Sequence, residues 1–226
     1  QVISVDGGQR TFFTYSGASA EFGMDDINFS ALNADIIHLG YFLLLERVDG
    51  GDGIKILEKA QKAGIKTSID LVSENSNRYK TVIPCLKYTD YLIINELEGG
   101  RLTNIEPSME NISLIAERLL KSGVNEKVII HFADGSVCMS KDGKLTSLGS
   151  YELPDNYIKG TTGAGDAFCA GALIGIYNKL SDREILEYAT ACAAMALGAQ
   201  DATSGLTDIK TAFEKTKALK RKKLCL

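Results

Sequence analysis

An open, doubly wound α/β sheet, mostly parallel and flanked by helices, is the fold that this 226-residue sequence predicts. Two observations carry it. Four short, nearly continuous apolar runs have the character of strands buried on both faces, and helical patterns separate them at βαβ spacing. Parallel strands require such crossovers, and crossovers on both sides cover both faces of a sheet. A β-hairpin at the start lies outside this rhythm, which divides the chain into a small β unit over residues 1–20 and an α/β core over 21–226.

The hairpin is read from Val2 to Val5 and Thr11 to Tyr15, runs rich in β-branched and aromatic residues around a turn containing Gly7 and Gly8. The central strands follow at Asp35 to Gly40, Lys66 to Leu71, Asp90 to Asn95 and Lys127 to Phe132. Helical patterns run from Ile54 to Ala63 with Gly64 as a stop, from Ser76 to Leu86, and from Ser108 to Ser122 with Gly123 as a stop. Two further strands, Ser136 to Ser140 and Lys144 to Leu148, meet at the Asp142-Gly143 turn. Helices then dominate. One runs from Gly165 to Asn178, one starts with a Ser181/Glu184 capping box and continues through an alanine-rich stretch, and one starts near Asp208. The basic end of the last, Lys217 and Lys220 to Lys223, is expected to complement the helix dipole and solvate the terminus.

Composition narrows the chemistry. Lys and Arg total 25 against 29 Asp and Glu, a net charge of −4, which gives no electrostatic footprint for nucleic acid or an anionic membrane. No apolar run reaches the length of a membrane span. Small-molecule chemistry is the expectation. The five cysteines are odd in number, share no CxxC spacing and lie mostly among apolar neighbours, as small hydrophobes do in a reducing cytoplasm. His38 and His131 have no partner at a recognised metal spacing, so no structural zinc site is expected. The chain opens on Gln1, and no basic-then-apolar leader follows, so no signal peptide is read.

The segment richest in chemistry is Gly160-Thr161-Thr162-Gly163-Ala164-Gly165-Asp166-Ala167-Phe168, which leads directly into an apolar helix. Small residues let backbone approach a ligand closely, and the free amides of a helix start converge where the dipole is positive. An anion is invited there. A carboxylate at Asp166 would repel a bare phosphate, but it fits if a hydroxyl sits between them: the carboxylate takes the hydroxyl's proton while the amides stabilise the transferring phosphoryl group. The plainer reading is a glycine-rich turn whose Asp favours a helix dipole. No Lys-Ser or Lys-Thr follows the glycines, so this is not a Walker loop, and no GxGxxG follows a first strand.

The run Thr161 to Phe168 and its small-residue helix resemble the C-terminal signature of the ribokinase-like (PfkB) carbohydrate kinases. Asn95-Glu96-Leu97-Glu98, at a strand end, looks like that family's Asn-x-x-Glu motif, and the order of the two motifs fits. The opening hairpin, with Gly8, Arg10 and Thr11 leading to Tyr15-Ser16-Gly17-Ala18, resembles the family's lid strands. The resemblance implies ATP-dependent phosphoryl transfer to a hydroxyl of a small sugar or sugar acid. Asp166 would be the general base, and Gly163, Ala164 and Gly165 with the Asp166 amide the anion hole. Thr161 and Thr162 would meet the nucleotide, Asn95 and Glu98 would hold Mg2+ largely through water, and Thr14, Tyr15 and Gly17 would cover the substrate. A nucleoside kinase of the same fold and a non-catalytic sugar-binding regulator are the alternatives. For Asn95 and Glu98 the plainer reading is a strand end with an Asn turn and a solvated Glu.

Three departures bear on this. Gly160 stands where the family usually has Asp, in a segment that can also bind a monovalent cation, which argues against potassium activation. His131-Phe132-Ala133 replaces a frequent Thr-Leu-Gly, and His131 is read as a packing or hydrogen-bonding substitute. The family's opening strands and Gly-Gly segment, which supply much of the sugar site, do not precede the lid here, so a piece with exposed sheet edges and low stability is expected. Lid hairpins in such kinases can pair between subunits, which implies a homodimer through the lid.

Overall fold

A computed structural model of the chain describes residues 2–6, 9–74 and 76–224, with the side chains of residues 2–12 outside the description. The hairpin turn at Gly7 and Gly8 and the thiol of Cys225 therefore fall outside the described residues. Strands β1 (Val2–Asp6) and β2 (Gln9–Phe13) form a separate two-stranded antiparallel sheet. A short helix, α1 (Ala18–Glu21), leads to β3 (Ile36–Phe42), α2 (Gly53–Lys62), β4 (Lys66–Leu71) and β5 (Tyr91–Asn95). Next come α3 (Glu96–Thr103), α4 (Ile112–Lys121), β6 (Lys127–Phe132), β7 (Gly135–Ser140) and β8 (Leu145–Gly149). Helices α5 (Ala164–Tyr177), α6 (Asp182–Leu197) and α7 (Ile209–Thr216) complete the order.

The main sheet runs β3-β4-β5-β6-β7-β8, with β3 to β6 parallel and β7 and β8 antiparallel. Side chains alternate between its faces, and the apolar residues sort accordingly. Leu92 and Ile94 of β5, Val128 and Ile130 of β6, and Val137 and Met139 of β7 join the core under α2 and α4. Ile93, Ile129 and Cys138 face the other way, into the core under α5 and α6. This alternation is what makes the run of apolar residues in each central strand necessary: both faces are covered.

Two expected elements differ. The helix read from Ser76 to Leu86 is instead two 3-10 turns, Arg78–Thr81 and Ile83–Tyr88. Pro84, which has no amide hydrogen to donate, stands at the start of the second turn and breaks an α-helical ladder. The basic end after α7 is not simply a solvated terminus. Helix α7 stops at Thr216, and Arg221 turns back to stack over the Tyr151 ring at 4.1 Å while donating to the Gly149 carbonyl. Burial in that position holds its guanidinium below its ordinary range. Four cysteines, Cys85, Cys138, Cys169 and Cys192, are free thiols, the first three buried. No helix among the described residues is long and apolar enough to cross a membrane.

Candidate active site

The parallel strands end along one edge, where Tyr41, Asp70, Asn95 and His131 come from four successive strands, and the start of α5 faces them. In open α/β sheets such an edge is where ligands bind, because strand ends expose polar backbone and loops are free to diverge there.

At the start of α5, Gly163 takes φ +80°, and a Cβ there would meet the backbone and side chain of Ala202 at 2.7 Å. Only glycine combines that left-handed backbone with that contact. The first full helical bond is donated by the Ala167 amide to the Gly163 carbonyl at 2.8 Å, so the amides ahead of it lie in the turn whose donors have no intrahelical acceptor. Gly163 offers no side chain to cap them. Gly165 lies beside the His131 ring, and Asp166 is exposed at the same helix start. Thr161 is exposed next to them, and its carbonyl accepts from the Ala164 amide at 3.4 Å. Thr162 is half-buried.

Asp166 has a partner that sequence reasoning missed. The Tyr41 hydroxyl donates to Asp166, lying 2.9 and 3.0 Å from its two carboxylate oxygens. Tyr41 adopts a left-handed φ of 60° where the register of β3 against β4 shifts, and its amide donates to Asp70 Oδ1 at 2.7 Å. A bulky residue held in that region signals a constraint imposed by its surroundings. Burial, and then the neighbouring Asp166 charge, push the Tyr41 phenol up to about 12, so it stays a hydrogen-bond donor throughout the neutral range.

The Asn95 motif is a closed capping box at the start of α3. Asn95 Oδ1 accepts from the Glu98 amide at 2.9 Å, and a Glu98 carboxylate oxygen accepts from the Asn95 amide at 3.0 Å. Ser73 ties the two side chains together, donating to Glu98 at 2.8 Å and accepting from Asn95 Nδ2 at 2.7 Å. The plainer reading of a solvated Glu does not hold: Glu98 is 4% exposed. Burial raises its carboxyl to about 7, against the bonds from Asn95 and Ser73 that favour the charged form.

His131 packs on Phe168 with ring centroids 4.8 Å apart. Its surroundings push it down to about 4, desolvation outweighing the nearby Asp70 charge, so it is a neutral ring at physiological pH. That agrees with a packing role. At Gly160, a Cβ would stand 2.7 Å from the Gln200 carbonyl oxygen and 3.0 Å from that of Ala199. An Asp side chain at this position would be driven into two carbonyl oxygens, which is a physical reason for the departure.

Between these elements lies a cleft of about 760 Å³. Its lining includes Asn95, His131, Thr161, Ala164 and Gly165 together with the apolar side chains of Leu97, Phe132, Leu153, Ile158 and Leu197. The structure thus brings together Thr161, Ala164 and Gly165 with Asn95 around one cavity. It does not bring Thr14, Tyr15 or Gly17 to them: Tyr15 is 93% exposed, Gly17 opens α1, and no hydrogen bond among the described residues joins any of the three to Asp166.

Comparison with known proteins bears on the family and the fold. The family model described as pfkB family carbohydrate kinase matches residues 1–209. A ribokinase of Arabidopsis thaliana is 26% identical over 178 residues, covering 77% of this chain and 45% of that protein. An adenosine kinase of Schizosaccharomyces pombe is 32% identical over 117 residues, covering 48% of this chain and 32% of that protein. Among solved structures, Arabidopsis thaliana ribokinase complexed with ribose and ATP superimposes with a TM-score of 0.67 at 26% identity, covering 80% of this chain and 55% of that one. An adenosine kinase from Sinorhizobium meliloti superimposes with a TM-score of 0.75 at 21% identity, covering 92% of this chain and 63% of that one. The chain spans about half the length of the curated relatives it matches. With the match running over nearly the whole sequence, the chain belongs to the pfkB family of carbohydrate kinases.

Proposed function

We propose that this chain carries the nucleotide-binding and catalytic portion of a kinase that transfers the γ-phosphoryl group of ATP to a hydroxyl of a small sugar or sugar acid. The observation that carries the reading is the pairing, at one helix start, of an exposed carboxylate with open backbone amides. Asp166 takes the proton of the attacking hydroxyl, and the amides of Gly163, Ala164, Gly165 and Asp166 stabilise charge on the group in transfer. Tyr41 is a positioning residue, holding the carboxylate through one hydroxyl. The apolar side chains of the cleft suit a flat base, and Ala164 and Gly165, at the helix start where phosphates would lie, line the same cleft.

The donor set at Asn95 and Glu98 fits Mg2+ through water rather than by direct ligation. Both Glu98 oxygens and the Asn95 amide oxygen already accept hydrogen bonds, which leaves them able to orient ordered water, and Mg2+ keeps several waters when bound. When bound, the ion would neutralise charge between the phosphates. Gly160 gives no side-chain ligand for a monovalent cation. The similarity to an Arabidopsis ribokinase complexed with ribose and ATP supports the sugar reading, and the adenosine kinase relatives make a nucleoside the second acceptor class. The unpaired thiols suit a reducing compartment such as the cytoplasm. Strands β1 and β2 pair with each other in a separate sheet, which leaves edges that a second copy could cover, as a homodimer through the lid would.

The test is a coupled assay of ADP formation with magnesium and ATP against ribose, fructose, 2-keto-3-deoxygluconate and nucleosides. Replacing Asp166→Asn should lower turnover by roughly 10²- to 10⁴-fold while ATP binding persists. Turnover equal to that of the parent would remove Asp166 from the role of base. Saturable sugar binding with no ADP formed at any magnesium concentration would favour the regulator.

A further inference from the structure

A second cluster of chemically active side chains lies behind the base, on the face of the sheet that α5 covers. His38 of β3, Asp70 of β4 and Cys169 of α5 each bring one donor atom into a cluster whose atoms lie within 4.8 Å of one another, the Asp70–Cys169 edge being the one that has to close around an ion. His38 Nε2 is 3.6 Å from Asp70 Oδ2 and 3.7 Å from Cys169 Sγ. A tetrahedral ion with metal–nitrogen and metal–oxygen distances of about 2.0 Å and a metal–sulfur distance of about 2.3 Å sets its ligand atoms roughly 3.3 to 3.6 Å apart, so the two observed edges are close to those of a formed site.

The surroundings prepare these atoms. His38 Nδ1 lies 3.1 Å from Ser68 Oγ, and with Nδ1–H donating there, the Nε2 lone pair is directed at the other two ligands. Asp70 Oδ1 is held by the Tyr41 amide, which leaves Oδ2 turned toward His38. Gly40 keeps the space open, since a Cβ there would stand 3.3 Å from both Asp70 Oδ1 and His38 Nε2. An entry path exists as well: His38 borders an open groove of about 360 Å³ between β3 and α5, lined also by Ile36, Leu173 and Tyr177.

We propose that His38, Asp70 and Cys169 form a binding site for a borderline-soft divalent ion of the Zn2+ class, with water as the fourth ligand. One nitrogen, one oxygen and one sulfur donor select such an ion over Mg2+, which takes oxygen ligands and would occupy the Asn95 and Glu98 end instead. On binding, the Cys169 S–H bond breaks and its proton leaves to solvent; sulfur and Nε2 each give a lone pair to the ion, and nothing is oxidised or reduced. Sequence reasoning, which expected no structural zinc site, had no spacing to reveal these ligands, because they come from three separate elements.

Cobalt(II) serves as the spectroscopic probe, added to the full chain with Zn2+ as competitor. The expected result is one equivalent bound, with the intense visible bands of tetrahedral cobalt and a thiolate-to-cobalt charge-transfer band, both removed by Zn2+. Cys169→Ser should abolish the charge-transfer band, and Cys192→Ser should leave it intact. His38→Gln, at a partly exposed position that the fold tolerates, should weaken cobalt binding by about tenfold or more. Weak octahedral spectra, a charge-transfer band that follows Cys192 rather than Cys169, or a His38→Gln chain that binds as tightly as the parent would each overturn the site. The readout is absorption and does not depend on the kinase reading.

Discussion

Helices α3 and α5 both start at the ends of parallel strands, and both starts present four amides without intrahelical acceptors, yet the two are finished in opposite ways. Helix α3 closes its own start: Asn95 and Glu98 exchange hydrogen bonds, Ser73 locks them, and the carboxylate is buried. Helix α5 starts on a glycine in a left-handed conformation with no side-chain cap, and its Ala164 and Gly165 line the cleft. The difference separates two ways of handling charge. The closed start is already satisfied and can act on a ligand only through water, whereas the open start can accept an anion directly.

The comparison breaks most readily at Gly163. A Gly163→Ala chain must put a Cβ into Ala202 at a φ that L-residues avoid, so it should lose roughly 2 to 4 kcal/mol of stability and bind nucleotide less tightly. Denaturant midpoints and an ATP titration check this; a chain of parental stability and affinity would mean that the open start is not built on this residue.

The closed start is probed by pH. Glu98 has its carboxyl raised from 4.5 to about 7, so between those values the folded chain keeps a proton that the unfolded chain has released. Its contribution therefore falls as pH rises across that window, with a slope of up to about 1.4 kcal/mol per pH unit. His131, lowered from 6.5 to about 4, acts in the opposite sense, since the unfolded chain takes up a proton that the folded one refuses. Glu98→Gln leaves the His131 slope alone, and its stability should gain on the parent's between pH 4.5 and 7. Equal slopes in the two chains would show that Glu98 is not the group that burial has shifted.

The smallest effect is expected at the cap itself. Asn95→Ala removes one acceptor from the start of α3 and should cost about 1 kcal/mol, read from the same denaturation curves. A loss much larger than that would mean that the Ser73 link carries more than capping.

How much of this was legible depended on where the determining contact lies. The bounds of β6 could be read directly, because the Val128 to Ile130 run is apolar as a strand buried on both faces must be; β4 was legible from its spacing in the βαβ rhythm, although Thr67, Ser68 and Asp70 make it polar. The Ser181/Glu184 box was equally plain, since both partners lie within one turn. Helix α3 was not, as Glu96 to Thr103 carries two glycines and little apolar periodicity, and its start is fixed by a cap rather than by propensity. Asp166 could be read from a local motif, but Tyr41, 125 residues earlier, could not: nothing in sequence announces a left-handed tyrosine whose hydroxyl crosses to another element. The burial of Glu98 was hidden for the same reason.

The loop that starts α5 touches its neighbour without side chains between them. Gly160 and Gly163 rest on the backbone of residues 199–202, and farther along α5, Gly171 and Gly175 rest on the backbone of α6 near Tyr188 and Ile185. Contacts of this kind have no rotamers to absorb a displacement, so α5, α6 and the loop between residues 199 and 202 behave as one stiff plate. A substrate cannot be accommodated by moving that plate. Adjustment to a bound nucleotide must come from flexible side chains of the cleft such as Leu97 and Ile158, which stand more than half exposed and whose replacement would reshape the cleft without disturbing the amides.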